Sequence, residues 1–150
     1  MQKILTTLLT TAMLLCMAAC SSEPIADQVT GNYRCTVTEY TQYQKDNQWR
    51  DTSYVYKNDG TATITKVDDK TVNVVLSSHH FGEGTFNNVA ISDMNFVANF
   101  SGTGSVELAA THFTYDARLS GSYSLENKSM TISAMLQGVS PKRIFTFNNI

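Results

Sequence analysis

Apolar and polar residues alternate with a period of two along most of this 150-residue chain. That is the spacing of half-buried β-strands, not of helices. Tyr33, Cys35 and Val37 share one face of a first run, opposite Arg34, Thr36 and Thr38, and predict a strand over 30–43. A second strand is expected over 49–57, with Tyr54 and Tyr56 on one face. Asn58-Asp59-Gly60 has the composition of a hairpin turn, because Asn and Gly tolerate positive φ at little cost. Ala62 and Ile64 then alternate with Thr61, Thr63 and Thr65, and Asp68-Asp69-Lys70 turns the chain into Val72, Val74 and Leu76. Residues 77–88 are less regular and predict a bent strand or loop, before Val89, Ile91 and a turn near Ser92-Asp93. Phe96, Ala98 and Phe100 form one more run, closed by Ser101-Gly102-Thr103-Gly104, and Val106, Leu108 and Ala110 follow. After Ala110 the apolar set switches from even to odd positions, which predicts a β-bulge or short turn near Thr111-His112. An odd-numbered run over 113–125, a hairpin at Glu126-Asn127-Lys128, an even-numbered run over 130–136 and a last strand opened by Pro141 complete the pattern. Roughly eight to ten short strands joined hairpin to hairpin predict an all-β chain folded as a single antiparallel up-and-down β-barrel.

The start of the chain breaks this pattern. Lys3 precedes an apolar stretch from Ile4 to Met17, too short and weak to span a bilayer stably, and small residues lead to Cys20 in Met17-Ala18-Ala19-Cys20. That order is a secretory signal. The cysteine after Ala-Ala resembles a bacterial lipobox, with Met17 where leucine is commonest. Ser21-Ser22-Glu23-Pro24 follows as a polar tether would. The expected organisation is a cleaved lipoprotein signal peptide over 1–19, a lipidated tether over 20–28 and a barrel domain over 29–150. Cys20 is the expected lipid-attachment residue. Several acyl chains there would anchor the chain stably, at about 0.8 kcal/mol per buried CH₂. Ser21, where an aspartate would signal retention, directs the protein by resemblance to Gram-negative sorting rules to the outer membrane, on its periplasmic or its surface face.

Charge and cysteine content narrow the partners. Net charge is −2, with acidic and basic residues scattered singly. The lack of a basic stripe argues against nucleic acid. Of the three cysteines, Cys16 leaves with the signal and Cys20 takes lipid, so Cys35 has no partner for an intramolecular disulfide. Its place on an apolar face makes it a buried structural thiol.

Three segments carry a family resemblance. Gly31-Asn32-Tyr33 opens the first strand, where lipocalins and other calycins carry Gly-x-Trp. The stretch from Leu119 through Gly121, Tyr123 and Lys128 to Ile132 resembles the penultimate hairpin of small calycin-like lipoproteins of Bacteroidetes-type bacteria. The stretch from Pro141 to Phe147 resembles their last strand. The resemblance as a whole covers roughly residues 29–150. The resemblance implies a lipid-anchored calycin-like β-barrel and no settled activity. It also implies that Arg143 could match the arginine that packs on the lipocalin tryptophan, here Tyr33.

Candidate chemistry is sparse. His79-His80 and His112 could suggest a metal site, but adjacent residues on a strand point to opposite faces, and further ligands are needed. Nothing in their spacing pairs Glu83 with Glu107. Nucleophile-elbow, zinc-protease and phosphate-loop motifs are all missing. The expectation is a protein that is not an enzyme and uses no cofactor or metal. Tyr40, Tyr43, Trp49, Tyr54 and Tyr56 cluster in the first long hairpin, where polar-tipped aromatics suit a ligand or a protein partner. They are the candidate ligand-binding residues. The first functional expectation is an envelope binding module, held to the membrane by its N-terminal lipid, with a small apolar or amphipathic ligand inside the barrel. Ala62, Ala98, Ala110, Ala117 and Gly121 would leave room for that ligand. The alternative is a structural or interaction lipoprotein with a filled barrel that binds another envelope protein through its surface.

Overall fold

In three dimensions the alternation becomes the inside and outside of a closed barrel. The computed structural model describes residues 23–150. The signal peptide expected over 1–19, and Cys20, lie outside the described residues. A short helix α1 (Ile25–Val29) precedes eight strands: β1 (Gly31–Lys45), β2 (Gln48–Asp68), β3 (Thr71–Ser78), β4 (Gly82–Met94), β5 (Val97–Leu108), β6 (Thr114–Ser124), β7 (Met130–Leu136) and β8 (Lys142–Asn149). They pair in chain order, each antiparallel to the next, and β8 returns to β1 from Cys35↔Asn149 to Gln42↔Lys142. The expected up-and-down barrel is the observed one.

The inward-facing set is apolar and closely packed. Cys35, Val37, Ala62, Val74, Leu76, Phe86, Leu119, Ile132 and Phe147 come from strands around the whole barrel, and each is 0% exposed. Side chains with no accessible surface leave no water-sized space beside them, so the interior is filled. The small residues expected to make room for a ligand instead admit neighbours. Ala62, Ala98 and Ala117 are buried against their neighbours, and a Cβ on Gly121 would stand 2.8 Å from the Ile132 Cα; a Cβ on Gly104 would likewise stand 2.7 Å from the Phe86 ring. Ala110 lies in a turn and is exposed. Outward positions are Thr36, Thr38, Thr63, Ser101, Thr103, Ser105, Ser120 and similar residues. Membrane-spanning barrels have the opposite pattern, apolar outside and polar within. This wall is built to face water.

One end of the barrel is stoppered by α1. The tether expected over 20–28 therefore ends early, because Ala26 and Val29 are spaced to put both side chains into the barrel end, where each is 0% exposed. The Tyr33 hydroxyl donates to the Val29 carbonyl at 2.7 Å, and Lys66 Nζ reaches Asp27 at 2.7 Å and Asp69 at 3.0 Å. Tyr33 also meets Tyr123 edge-on, with ring centroids 5.8 Å apart.

Four local expectations need correction. Asn58-Asp59-Gly60 is not a hairpin turn. β2 runs on through it for 21 residues. Between Cys35↔Gly60 and Val37↔Tyr56, β2 carries Lys57, Asn58 and Asp59 against Thr36 alone, a bulge with Asn58 at φ 55°. Phe96 is not in a strand but at a hairpin tip. Ser92-Asp93 is strand, and β4 turns at Asn95-Phe96. Ser101-Gly102-Thr103-Gly104 does not close a strand, since β5 passes through it and the glycines let Val89 and Phe86 pack close. The parity switch is a short turn over 109–111, with His112 at φ 56°. The bend expected over 77–88 is a turn at 79–81 and a bulge at Asn88, φ 54°.

Cys35 is buried, and burial pushes its thiol up to about 11, outweighing a backbone hydrogen bond at Ala62 that lowers it. A thiol reagent is expected to label Cys35 slowly in the native protein and rapidly in urea, with the site located by peptide mass. Cys35→Ser should cost about 1–3 kcal/mol in urea unfolding, by burying a more polar hydroxyl among apolar neighbours. Cys35→Ala should cost less. Fast native labelling would contradict the buried assignment.

Candidate functional site at the barrel mouth

The end opposite α1 is built differently. β1 pairs with β2 out to Lys45↔Gln48, closed by Asp46-Asn47 with both φ positive at 53° and 59°. The other neighbours stop short. β8 reaches only Gln42↔Lys142, and β3 joins β2 only from Gly60↔Ser78. The tip of the β1–β2 hairpin therefore extends past the barrel as a two-stranded arm, and residues 48–59 of β2 have a strand on one side alone. Trp49, Tyr54 and Val55 on this arm are 66%, 58% and 57% exposed.

Register divides the five candidate aromatics between two faces. Val37 points into the barrel, and Tyr56 lies opposite it, Tyr54 opposite Glu39 and Arg50 opposite Tyr43. Tyr43, Tyr54 and Tyr56 are thus on the face that continues the barrel interior, while Tyr40 and Trp49 are on the outer face. Tyr40 hydrogen-bonds Asp51, which holds its phenol above the usual range. The five do not form a single pocket.

The inner face leads to a polar network. Arg143 Nε and Nη2 both donate to Glu39 Oε1, at 3.1 and 2.5 Å, and the guanidinium lies 5.1 Å from the Phe145 ring centroid. The Tyr56 hydroxyl donates to Glu39 Oε2 at 3.4 Å, and its ring stacks on His80 at 4.0 Å. Asp59, placed by the β2 bulge, accepts from Ser78 Oγ at 2.5 Å and lies 3.1 Å from His80 Nδ1. Ser78 Oγ also accepts the Phe81 amide at 3.0 Å. This holds the turn that drives Phe81 into the barrel against Phe145 and Phe147, at 4.8 and 5.3 Å. Phe81 is the stopper of this end. Beside Arg143, a depression of about 250 Å³ is lined by Leu108, Tyr115, Leu136 and Val139.

Arg143 does not pack on Tyr33 as the calycin resemblance implied. It lies beside Thr41, at the mouth end of β8. Parity could have flagged this network. Glu39 falls on the same alternation as Tyr33, Cys35 and Val37, and Arg143 on that of Phe145 and Phe147, so each is a charge on an apolar face. The histidines separate: His80 joins Asp59, and His112 Nδ1 lies 3.5 Å from Glu107. Register does place Glu83 directly across from Glu107 on the outer wall, which spacing alone did not indicate. Among the described residues, no group of three or more His, Cys, Asp or Glu could hold a metal ion. Ser78 Oγ donates to the Asp59 carboxylate and accepts the His80 and Phe81 amides, which fixes the turn.

Glu39→Gln should lower stability by about 1.5–3 kcal/mol in urea unfolding, the usual worth of a hydrogen bond to a charged group. A change within error would mean that solvent screens the pair. Burial raises the Asp59 carboxyl, but hydrogen bonds from Ser78 and His80 outweigh it and leave the group below its usual 3.8. A carboxylate lowered by folding stabilises above its unfolded value and loses that contribution as pH falls through the folded one. Stability of the natural chain should therefore fall more steeply below pH 3.8 than that of Asp59→Asn. Parallel acid limbs would remove Asp59 from the account.

A crystal structure described as "a putative outer membrane protein" from Bacteroides fragilis NCTC 9343 is similar to this chain, with a TM-score of 0.67 and 16% identity. The match covers 86% of this chain and 53% of that one, so this chain spans about half of that protein. At such identity the likeness is one of fold. No family model and no curated protein matches the chain. The chain is a closed eight-stranded antiparallel β-barrel with an apolar, filled interior.

Proposed function

We propose that this protein is an envelope lipoprotein, anchored through Cys20, that works by protein contact at the barrel mouth and its projecting arm. The filled interior carries this reading. Between Phe81 at one end and α1 at the other, the barrel core offers no accessible space, while three exposed apolar side chains lie on the arm. The lipobox-like Met17-Ala18-Ala19-Cys20 supports anchoring. The description of the similar Bacteroides protein as an outer membrane protein supports an envelope location, and Ser21 supports the outer membrane. The chain order of the strands suits a calycin-like lipoprotein, although the arginine pairing of that resemblance is missing.

A second reading keeps a small amphipathic ligand but moves it out of the barrel. The depression beside Arg143 sets one cation among Leu108, Leu136 and Val139, which suits a molecule with one anionic and one apolar part.

Cys20→Ala should abolish labelling by a palmitate analogue and release the chain from membranes or leave it unprocessed. An unlabelled natural chain that partitions into the aqueous phase would end the lipoprotein reading. A photoreactive residue at Tyr54 should give a discrete protein adduct in cells, and one at Thr103 on the wall should not. Trp49 is the only tryptophan and reports on the arm. A saturable change of its emission with fatty acid or sterol, without a Tyr54 adduct, would favour the ligand reading.

A further inference from the structure

The exposed large apolar side chains of the described residues gather at the two ends of the barrel. Trp49, Tyr54, Val55 and Phe113 are at the mouth, and Val67, Met94, Phe96 and Ile150 are at the α1 end. We propose that the second set is a lipid-contact surface, which seats the barrel upright on the bilayer that holds its acyl chains. This deepens the lipoprotein reading and rests on it.

The β4–β5 hairpin is the central observation. Its tip is Asn95-Phe96, with φ of 52° and 62°, between the paired residues Met94 and Val97. Two-residue tips of this kind favour Asn-Gly, because the second position also needs positive φ. A bulky aromatic there is a backbone outlier. Phe96 nonetheless occupies it, 67% exposed, with Met94 65% exposed beside it. The hairpin tips at Asp46-Asn47 and Asp69-Lys70 are polar. Packing accounts for little of Phe96, which is largely exposed, and its backbone carbonyl accepts from the Leu125 amide at 2.8 Å.

The position of the chain's start identifies the occupant. Glu23 and Pro24, the first described residues, share a depression with Lys70 and Asp93, the neighbour of Met94. Cys20 is three residues before Glu23, at most about 11 Å of extended chain. Acyl chains on Cys20 therefore hold this end of the barrel within reach of the bilayer surface, and the Met94–Phe96 tip with it. Apolar side chains that reach the headgroup boundary are buried there at a gain. The charges at this end are net acidic, Glu23, Asp27, Asp68, Asp69, Asp93 and Glu126 against Lys66, Lys70 and Lys128, so the contact is with zwitterionic and not anionic lipid. With this end seated, the arm and mouth point away from the membrane.

The test uses the full acylated chain in phosphatidylcholine vesicles. With Trp49→Phe and Phe96→Trp together, the indole placed at position 96 should emit at blue-shifted wavelength and lose about half its emission to brominated phosphatidylcholine. Trp49 of the natural chain should be unaffected. Phe96→Asn supplies a second measurement, because Asn tolerates positive φ. It should leave the melting temperature unchanged or raised, yet reduce bromolipid quenching of a tryptophan placed by Ile150→Trp in the Trp49→Phe chain. An acylated, vesicle-bound Phe96→Trp chain whose introduced indole stays red-shifted and unquenched overturns the lipid seat alone. A chain without acyl groups that stays in solution overturns the lipoprotein reading along with it.

Discussion

Closure of β8 onto β1 is the constraint from which the rest of this structure follows. β1 must pair with β2 on one edge and β8 on the other, from Cys35↔Asn149 to Gln42↔Lys142. Once closed, eight strands enclose an interior just wide enough to be filled by side chains. Every inward residue then competes for the same fixed volume. Aromatic rings from Phe81, Phe86 and Phe147 pack where Gly84, Gly104 and Gly60 present no Cβ to them. Glycine in a strand usually weakens it; here it is the complement of a large neighbour.

A filled barrel with a water-facing wall leaves its two ends as the places where chemistry can differ. Both are stoppered, by contrasting means. At one end α1 inserts two small apolar side chains and is held by a tyrosine hydroxyl and a lysine between two aspartates. At the other, the β3–β4 turn inserts Phe81, and Asp59, Ser78 and His80 hold that turn in place. The β2 bulge belongs to this arrangement. Its extra residues bring Asp59 to the turn, and its preserved parity keeps Tyr56 and Tyr54 on the inner face beyond it.

The two ends also differ in the direction from which the chain arrives. The N-terminal segment enters at the α1 end, so a lipid anchor there would leave the mouth and arm as the distal surface. Partner contact at the arm and lipid contact at the Met94–Phe96 tip would then be two consequences of one axial asymmetry. The exposed aromatics at each end are what the polar wall between them lacks.

Alternation alone determined that the chain is all-β, which face of most strands is apolar, that Cys35 points inward and that the strands follow one another as hairpins. Period two is a local property, and one buried face imposes it residue by residue. The parity of Glu39 and Arg143 was legible too, although their pairing across 104 residues was not. Turn composition misled where a bulge and a turn use the same residues: Asn58 takes positive φ in either, and only the continued pairing of β2 with β1 decides between them. The glycines over 102–104 likewise resemble a loop until Val89 and the Phe86 ring, which pack against their missing Cβ positions, are placed. Whether the barrel is hollow, which aromatics share a face, and that α1 and Phe81 close the ends depend on volumes and registers set by closure. Those are properties of all eight strands at once, so no local stretch of sequence carries them.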